Sequence, residues 1–315
     1  MSLSQAGIEL TTRCSRRCEH CLRRAAPREA VDLDAALLER LVPELAARGA
    51  THLGLTGGEP LLHPRIASVG GLLARRGATF HLVTGGGHTR ALRALIEASG
   101  PALTRVAVSL DGATAADHDA CRGEGAFTEA LQTFSLCARR QVPVVAQVTL
   151  TRRNVDRIED LASLARDLGA SGVRYAFCQP YGPAAGLALD AETRRVAADR
   201  IAQIRSAGPA VELAATDMAS GPRCRFLDLD AVFIDARGRL LYCCLLAGLC
   251  PDGADVAADL TRTSLSEGIA ALERSYARFR DAVAAGEITL GQLDPREVPP
   301  CGLCARWMGV GGHWR

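Results

Sequence analysis

The feature that most limits what this 315-residue chain can become is a repeated alternation of short β-rich runs with amphipathic helical segments. The runs occupy residues 7–10, 52–56, 79–84, 104–110, 144–150 and 173–177, each followed by a turn or polar loop. Between them, Ile158, Leu161, Ala165 and Leu168 fall on one helical face, with Asn154 placed to cap the helix and Gly169 to stop it. Leu38, Leu41, Val42 and Leu45 make another such face, in which Pro43 should kink or restart the helix because it has no N–H. About six βα units predict an α/β fold with a parallel sheet and right-handed crossovers, closed into a barrel or left open. In either case sites collect at the C-terminal ends of the strands.

The alternation ends after Leu189, where an Ala- and Arg-rich helix runs to about Ser206 and Gly208-Pro209 breaks the chain. Beyond Cys224 the pattern predicts a hairpin, residues 232–234 against 240–242 around the Asp235-Ala-Arg-Gly238 turn, and then a helix over 265–284. The expected division is one domain over 1–207 and a small α+β domain over 208–315.

The chain is 48% apolar with 37 basic and 35 acidic residues, so it can bury a full core and has no charge excess suited to nucleic acid. Arg13, Arg16 and Arg17 are its one local basic cluster. It contains no lysine, which excludes a pyridoxal aldimine and Schiff-base catalysis through lysine. No stretch of eighteen apolar residues occurs and no signal-peptide pattern opens the chain, so neither membrane nor export is expected, and the compartment is the reducing cytoplasm. Twelve cysteines there point to metal rather than to disulfides.

Three of them, Cys14, Cys18 and Cys21, follow the first β-run on a polar, arginine-rich loop. Three thiolate ligands leave one iron of a cubane cluster open to another ligand. The alternative is that the offsets put three small hydrophobes on one helical face. The spacing Cys-x3-Cys-x2-Cys resembles the cluster loop of the radical S-adenosylmethionine superfamily. Gly57-Gly58-Glu59, ending the second β-run, looks like the family segment that holds the methionyl amino group, its glycines admitting close backbone approach to ligand. Ser109-Leu-Asp111-Gly112, followed by His118-Asp119 and Arg122-Gly123, resembles the segment that reaches the ribose and methionyl carboxylate. At the end of the third run, Gly85 departs from the usual asparagine and receives no ligand role. The resemblance covers residues 7 to about 182. It implies a partial (β/α)6 TIM-like barrel, a 4Fe-4S cluster, S-adenosylmethionine, a 5'-deoxyadenosyl radical that abstracts a substrate hydrogen, and an electron donor such as flavodoxin or ferredoxin.

Toward the C-terminus, Cys224 and Cys243 flank the hairpin, and Cys301-Gly-Leu-Cys304 follows the last helix. By spacing alone the four suit tetrahedral zinc as well as iron. They resemble the Twitch domain, the shorter relative of SPASM, which implies an auxiliary 4Fe-4S cluster, with Cys244 and Cys250 as substitute ligands. Cys121, Cys137 and Cys178 have no partner spacing and read as structural.

Two activities are compatible with this pattern. One is modification of a ribosomally made peptide by crosslink, epimerisation or oxidation, which calls for a separate leader-binding partner because the cluster loop begins at residue 14. The other is dehydrogenation of a small polar metabolite, since the compact arrangement resembles the aminocyclitol dehydrogenase type. A zinc or iron scaffold without activity accounts for the cysteines but not for the ordered Gly-Gly-Glu and Ser-Leu-Asp-Gly segments. Tyr175, Gln179 and Tyr181, at the end of the sixth run, are the expected substrate contacts.

Overall fold

The computed structural model describes residues 2–25, 29–207, 210–213, 224–245, 247, 249–250, 253–288 and 301–309; the Gly208-Pro209 break lies outside them. Each expected β-run is a strand: β1 (Gln5–Glu9), β2 (His52–Thr56), β3 (Thr79–Thr84), β4 (Leu103–Ser109), β5 (Val144–Leu150) and β6 (Gly172–Phe177). The intervening helices are α1 (Ala35–Ala46), α2 (Ile66–Arg75), α3 (Thr89–Ser99), α4 (Ala115–Arg122), α5 (Ala126–Arg139) and α6 (Ile158–Asp167). There follow α7 (Ala191–Ala207), β7 (Ala210–Leu213), β8 (Ala231–Ile234), β9 (Arg239–Leu241), β10 (Val256–Asp259), α8 (Leu265–Ala284) and α9 (Cys301–Trp307).

The strands form one open sheet in the order β10-β9-β8-β1-β2-β3-β4-β5-β6-β7. Strands β1 to β6 are parallel neighbours in chain order, so each helix is a crossover to the adjacent strand. The β8–β9 hairpin forms where expected, and β8 also pairs in parallel with β1, from Gln5 opposite Ala231 to Ile8 opposite Ile234. One sheet therefore runs across position 208. α8 spans the expected residues and opens with a capping box between Ser264 and Glu267. No helix among the described residues is long and apolar enough to cross a membrane.

Strand alternation separates two faces. Ile8, Leu55, Phe80, Leu82, Val106, Val108, Ala146 and Val148 are completely buried against helix residues such as Leu41, Leu45, Leu73, Leu95 and Leu161. Each large side chain so buried stabilises the fold by roughly 1.5–3 kcal/mol. His52, His81, Arg105, Gln147 and Arg174 have the opposite parity and line the concave face.

Two local expectations are corrected. α1 runs through Pro43 as one helix, and the Pro43 carbonyl accepts from Ala47 N–H at 2.9 Å, so the missing N–H falls near the helix end and does not divide it. Asn154 makes no side-chain cap bond. Its amide donates to the Asp111 and Thr149 carbonyls, both at 3.0 Å, and its oxygen accepts from Thr151 N–H at 2.8 Å. A short 3-10 turn, Val155–Arg157, leads into α6 instead, and Gly169, at φ +76°, follows its end.

Candidate active site

The segment leaving β1 is fixed by backbone before the cysteines begin. Thr12 N–H donates to the Val31 carbonyl at 2.9 Å, and Arg13 Nε donates to both Asp32 oxygens at 3.0 and 3.1 Å. Against its burial, these bonds and one from Thr11 hold the Asp32 carboxyl below its ordinary range. From the other side, Gly58 N–H donates to the Thr11 carbonyl and Glu59 N–H to the Arg13 carbonyl, both at 2.7 Å. A Cβ on Gly57 would stand 2.6 Å from the Thr11 oxygen, and one on Gly58 2.3 Å from the Arg13 oxygen. These glycines let the end of β2 lie against the root of the cysteine loop.

Glu59 is likewise engaged within the protein. Its buried carboxylate accepts from Thr84 Oγ1 at 2.8 Å, Gly85 N–H at 2.9 Å and Leu61 N–H at 3.1 Å, tying the end of β2 to the end of β3. Burial pushes its pKa up, and the three donors oppose that shift.

On the loop, Cys14 is exposed, Cys21 half-buried and Cys18 buried. Burial raises the Cys18 pKa, Arg122 pulls it down, and charge on Cys21, Asp111 and Cys14 pushes it up, so Cys14 and Cys21 both lie within electrostatic reach of Cys18. Arg122 links them to the end of β4. Its Nε donates to Asp111 Oδ2, one terminal nitrogen lies 3.9 Å from Cys18 Sγ and the other 3.4 Å from His20 Nε2. Asp111 is 2% exposed, and its other oxygen accepts from Thr149 N–H at 2.8 Å. Despite burial, Arg122 and His20 hold this carboxyl below its ordinary range. His118, completely buried on α4, accepts from Asp111 N–H through Nδ1 at 3.2 Å, and burial followed by Arg122 lowers its pKa to about 4. Ser109 closes β4 on the parity of Arg105 and Ala107.

The sequence had not singled out His20 and Cys121 for this site. His20 Nδ1 lies 3.0 Å from Cys121 Sγ, and Nε2 lies 3.6 Å from Asp111 Oδ2. These three residues have metal-ligand chemistry within 4.8 Å, yet Arg122 already neutralises the carboxylate. The available signal was that His20 stands between two of the three loop cysteines. Arg16, also on the loop, pairs with Glu129 of α5, and a Cβ on Gly85 would stand 3.7 Å from its side chain.

The C-terminal cysteines converge as well. Cys224, Cys243, Cys301 and Cys304 line one pocket whose other walls include Tyr242, Tyr276, Phe279, Trp307 and Met308. Burial pushes Cys304 up, and the Cys243 and Cys224 thiols push it further. Cys244 packs with Phe233, Leu241 and Ala247 instead, whereas Cys250 lies in the cluster that contains Cys243 and Cys304. That cluster also includes Leu22, next to Cys21, and Tyr181, so both cysteine groups adjoin one apolar wall. Arg23 strengthens the connection, donating to Glu9 Oε1 at 2.9 Å and to the Ala247 carbonyl at 2.6 Å.

The donor chemistry fits the groups implied by the sequence. Three converging thiols beside a guanidinium suit a cluster with an open iron, and four thiols in an aromatic pocket suit a fully ligated one. Cys137 is completely buried in the core, and Cys178 is buried with its pKa pushed up to about 12.

One of the three expected substrate contacts is corrected. Tyr175 shares the helix-facing parity of Val173 and Phe177, is completely buried, and donates its hydroxyl to the Ile158 carbonyl at 2.7 Å. Tyr181, 1% exposed, is covered by Leu22, Ala305 and Met308. Gln179 is buried, with its Nε2 3.4 Å from the Phe177 carbonyl and its Oε1 without a partner among the described residues.

Comparison with known proteins agrees with this geometry. Residues 8–165 match the radical SAM superfamily. A PqqA peptide cyclase of Streptomyces rochei is 31% identical over 227 residues, covering 71% of this chain and 60% of the relative. An AdoMet-dependent heme synthase of Methanosarcina barkeri is 32% identical over 179 residues, 55% of this chain and 50% of the relative. The chain thus spans about half to three-fifths of the length of these relatives. Streptococcus suis SuiB, solved with S-adenosylmethionine, has the same fold, with a TM-score of 0.69 at 13% identity over 87% of this chain and 66% of SuiB. Because the matched segment takes in half of the chain, and with it the three-cysteine loop, the Gly-Gly-Glu turn and the Asp111–Arg122 pair, the chain belongs to the radical SAM superfamily.

Proposed function

We propose that this protein is a radical S-adenosylmethionine enzyme that modifies a ribosomally made peptide by crosslinking, epimerisation or oxidation at an unactivated carbon. The observation that carries this reading is the placement of Cys18, with Cys14 and Cys21 in its electrostatic reach, against the buried Asp111–Arg122 pair, next to a second, four-cysteine pocket. When bound, a 4Fe-4S cluster and S-adenosylmethionine supply a 5'-deoxyadenosyl radical that removes hydrogen from substrate.

Cys14, Cys18 and Cys21 hold that cluster in this reading, and Ser109, Asp111 and Arg122 form the cofactor side of the mouth. The remaining guanidinium N–H groups of Arg122 can receive a carboxylate, and Asp111 fixes their orientation. Gly57, Gly58 and Glu59 support the loop from beneath. Cys224, Cys243, Cys301 and Cys304 hold an auxiliary cluster in a Twitch-like unit over 208–315, with residues 1–207 as the radical domain. The apolar wall of Leu22 and Tyr181 excludes water between the two. Gln179 and Tyr181 remain the substrate-contact candidates beyond the end of β6. A flavodoxin or ferredoxin supplies electrons, a separate protein presents the leader peptide, and the reducing cytoplasm is the setting.

The peptide cyclase matched over 71% of the chain supports a peptide substrate. The test is anaerobic reconstitution with iron and sulfide, then addition of reductant and S-adenosylmethionine, with and without a candidate precursor peptide. 5'-Deoxyadenosine together with a mass change in the peptide is expected. Turnover of a small polar metabolite with no peptide present would replace the substrate assignment, and absence of 5'-deoxyadenosine would remove the radical one.

A further inference from the structure

Beneath the cofactor end, the concave face of the sheet encloses a cavity of about 510 Å³, within the roughly 300–1,000 Å³ typical of ligand sites. His52, His81, Arg105, Gln147 and Arg174 are among its lining residues. Gln147 lies two residues before Thr149 on β5, about 6–7 Å along the strand, and Thr149 is the residue whose N–H holds Asp111. The cavity therefore begins directly below the mouth.

Its described walls carry basic groups and no acid. Neither Arg105 nor Arg174 has a hydrogen bond or ion pair among the described residues. Glu212 of β7 stands opposite Arg174 in register, whereas Arg105 stands opposite His81. His52 and His81 stack with centroids 5.1 Å apart, and His52 Nε2 lies 2.9 Å from His81 Nδ1. Gly54 leaves room for this stack, since a Cβ there would stand 3.0 Å from the His81 ring. Burial first, then Arg105, His52 and Arg174, push the His81 pKa down to about 3, so the imidazoles offer N–H groups without charge. Two guanidinia on a semi-enclosed sheet face, neither ion-paired among the described residues, suit a ligand that brings counter-charge.

We infer that this cavity is the substrate chamber and that Arg105 and Arg174 receive a carboxylate of the substrate, either an acidic side chain or the C-terminus of a peptide segment. The inference rests on the reading of the chain as a peptide-modifying enzyme. A guanidinium fork matches a carboxylate in two parallel hydrogen bonds, and the cavity is larger than a lone small anion requires.

The experiment uses the reconstituted protein with S-adenosylmethionine and three fluorescein-labelled octapeptides, followed by fluorescence anisotropy at low ionic strength. One peptide contains glutamates and a C-terminal amide, the second has glutamines in their place, and the third is the glutamine peptide with a free C-terminal carboxylate. Binding at least tenfold tighter for the first or the third than for the second is expected, and whichever binds identifies the carboxylate. In Arg105→Gln/Arg174→Gln that preference should vanish, with a melting temperature no lower than that of wild type because uncompensated charge has been removed. Arg105→Lys, which keeps the charge but loses the fork, should retain only part of it. Equal binding of all three peptides by wild type, or an unchanged preference in the double variant, overturns the inference. Wild type that forms 5'-deoxyadenosine yet binds the three alike loses the carboxylate chamber and keeps the radical reading. Wild type that discriminates among them yet forms none keeps the anion site and loses the radical reading.

Discussion

The two cysteine groups of this protein have opposite surroundings. At the N-terminal loop, an exposed, a half-buried and a buried thiol stand among Arg122, Asp111, His20 and the Arg16–Glu129 pair. At the C-terminal pocket, four thiols are enclosed by Tyr242, Tyr276, Phe279, Trp307 and Met308. The first is polar and partly open, as required of a site that must admit a charged ligand and tolerate a change in charge. The second is aromatic and complete in thiols, which suits a centre that exchanges electrons without exchanging ligands. Number of thiols and polarity of wall therefore vary together, as the two proposed roles require.

The sharpest way to break this comparison is to remove one thiol from each side. Cys18→Ala should lower 5'-deoxyadenosine formation below detection, whereas Cys301→Ala should retain abortive cleavage and lose product; full product from the Cys301 variant would show that the pocket is dispensable. Next in size is Asp111→Asn, which leaves the buried Arg122 uncompensated and should cost about 3–5 kcal/mol in urea unfolding. Asp230→Asn, removing a surface pair with Arg225, should cost less than about 1 kcal/mol.

Acid should act on the polar side. With a folded pKa of about 4, below its unfolded value, His118 binds fewer protons in the folded state between those two values. Its contribution is complete above about pH 6.5 and is lost as the pH falls toward 4, by up to about 3 kcal/mol. A melting temperature independent of pH over this window would contradict the buried, neutral assignment. The smallest effect is expected from Tyr175→Phe, which removes one hydroxyl bond to Ile158 and should cost about 1 kcal/mol without altering turnover. A loss of turnover would return Tyr175 to the mouth.

Much of the scaffold was legible because strands announce themselves by composition and spacing. β2, β3 and β5 fall on their expected residues, and α8 spans its predicted length. The cysteine groupings were legible because thiols close in sequence need only a loop to meet, and a hairpin carries Cys224 and Cys243 together. What escaped depends on long-range packing. Nothing near Gly58 reveals that Arg13 will lie above it, nothing near Asn154 reveals the Asp111 carbonyl, and Cys121 meets His20 only after α4 folds back on the loop. Tyr175 is different: its parity with Val173 and Phe177 already placed it among the helices, and its position near a strand end concealed that signal.

The account depends most on there being two separable iron centres. Iron and sulfide per chain, counted after anaerobic reconstitution, should be about eight in wild type and about four in each of two variants, one lacking Cys14, Cys18 and Cys21 and the other lacking Cys224, Cys243, Cys301 and Cys304. Only the first variant should lose 5'-deoxyadenosine formation altogether. Zinc in place of iron in wild type, or loss of all iron in either variant, would contradict it.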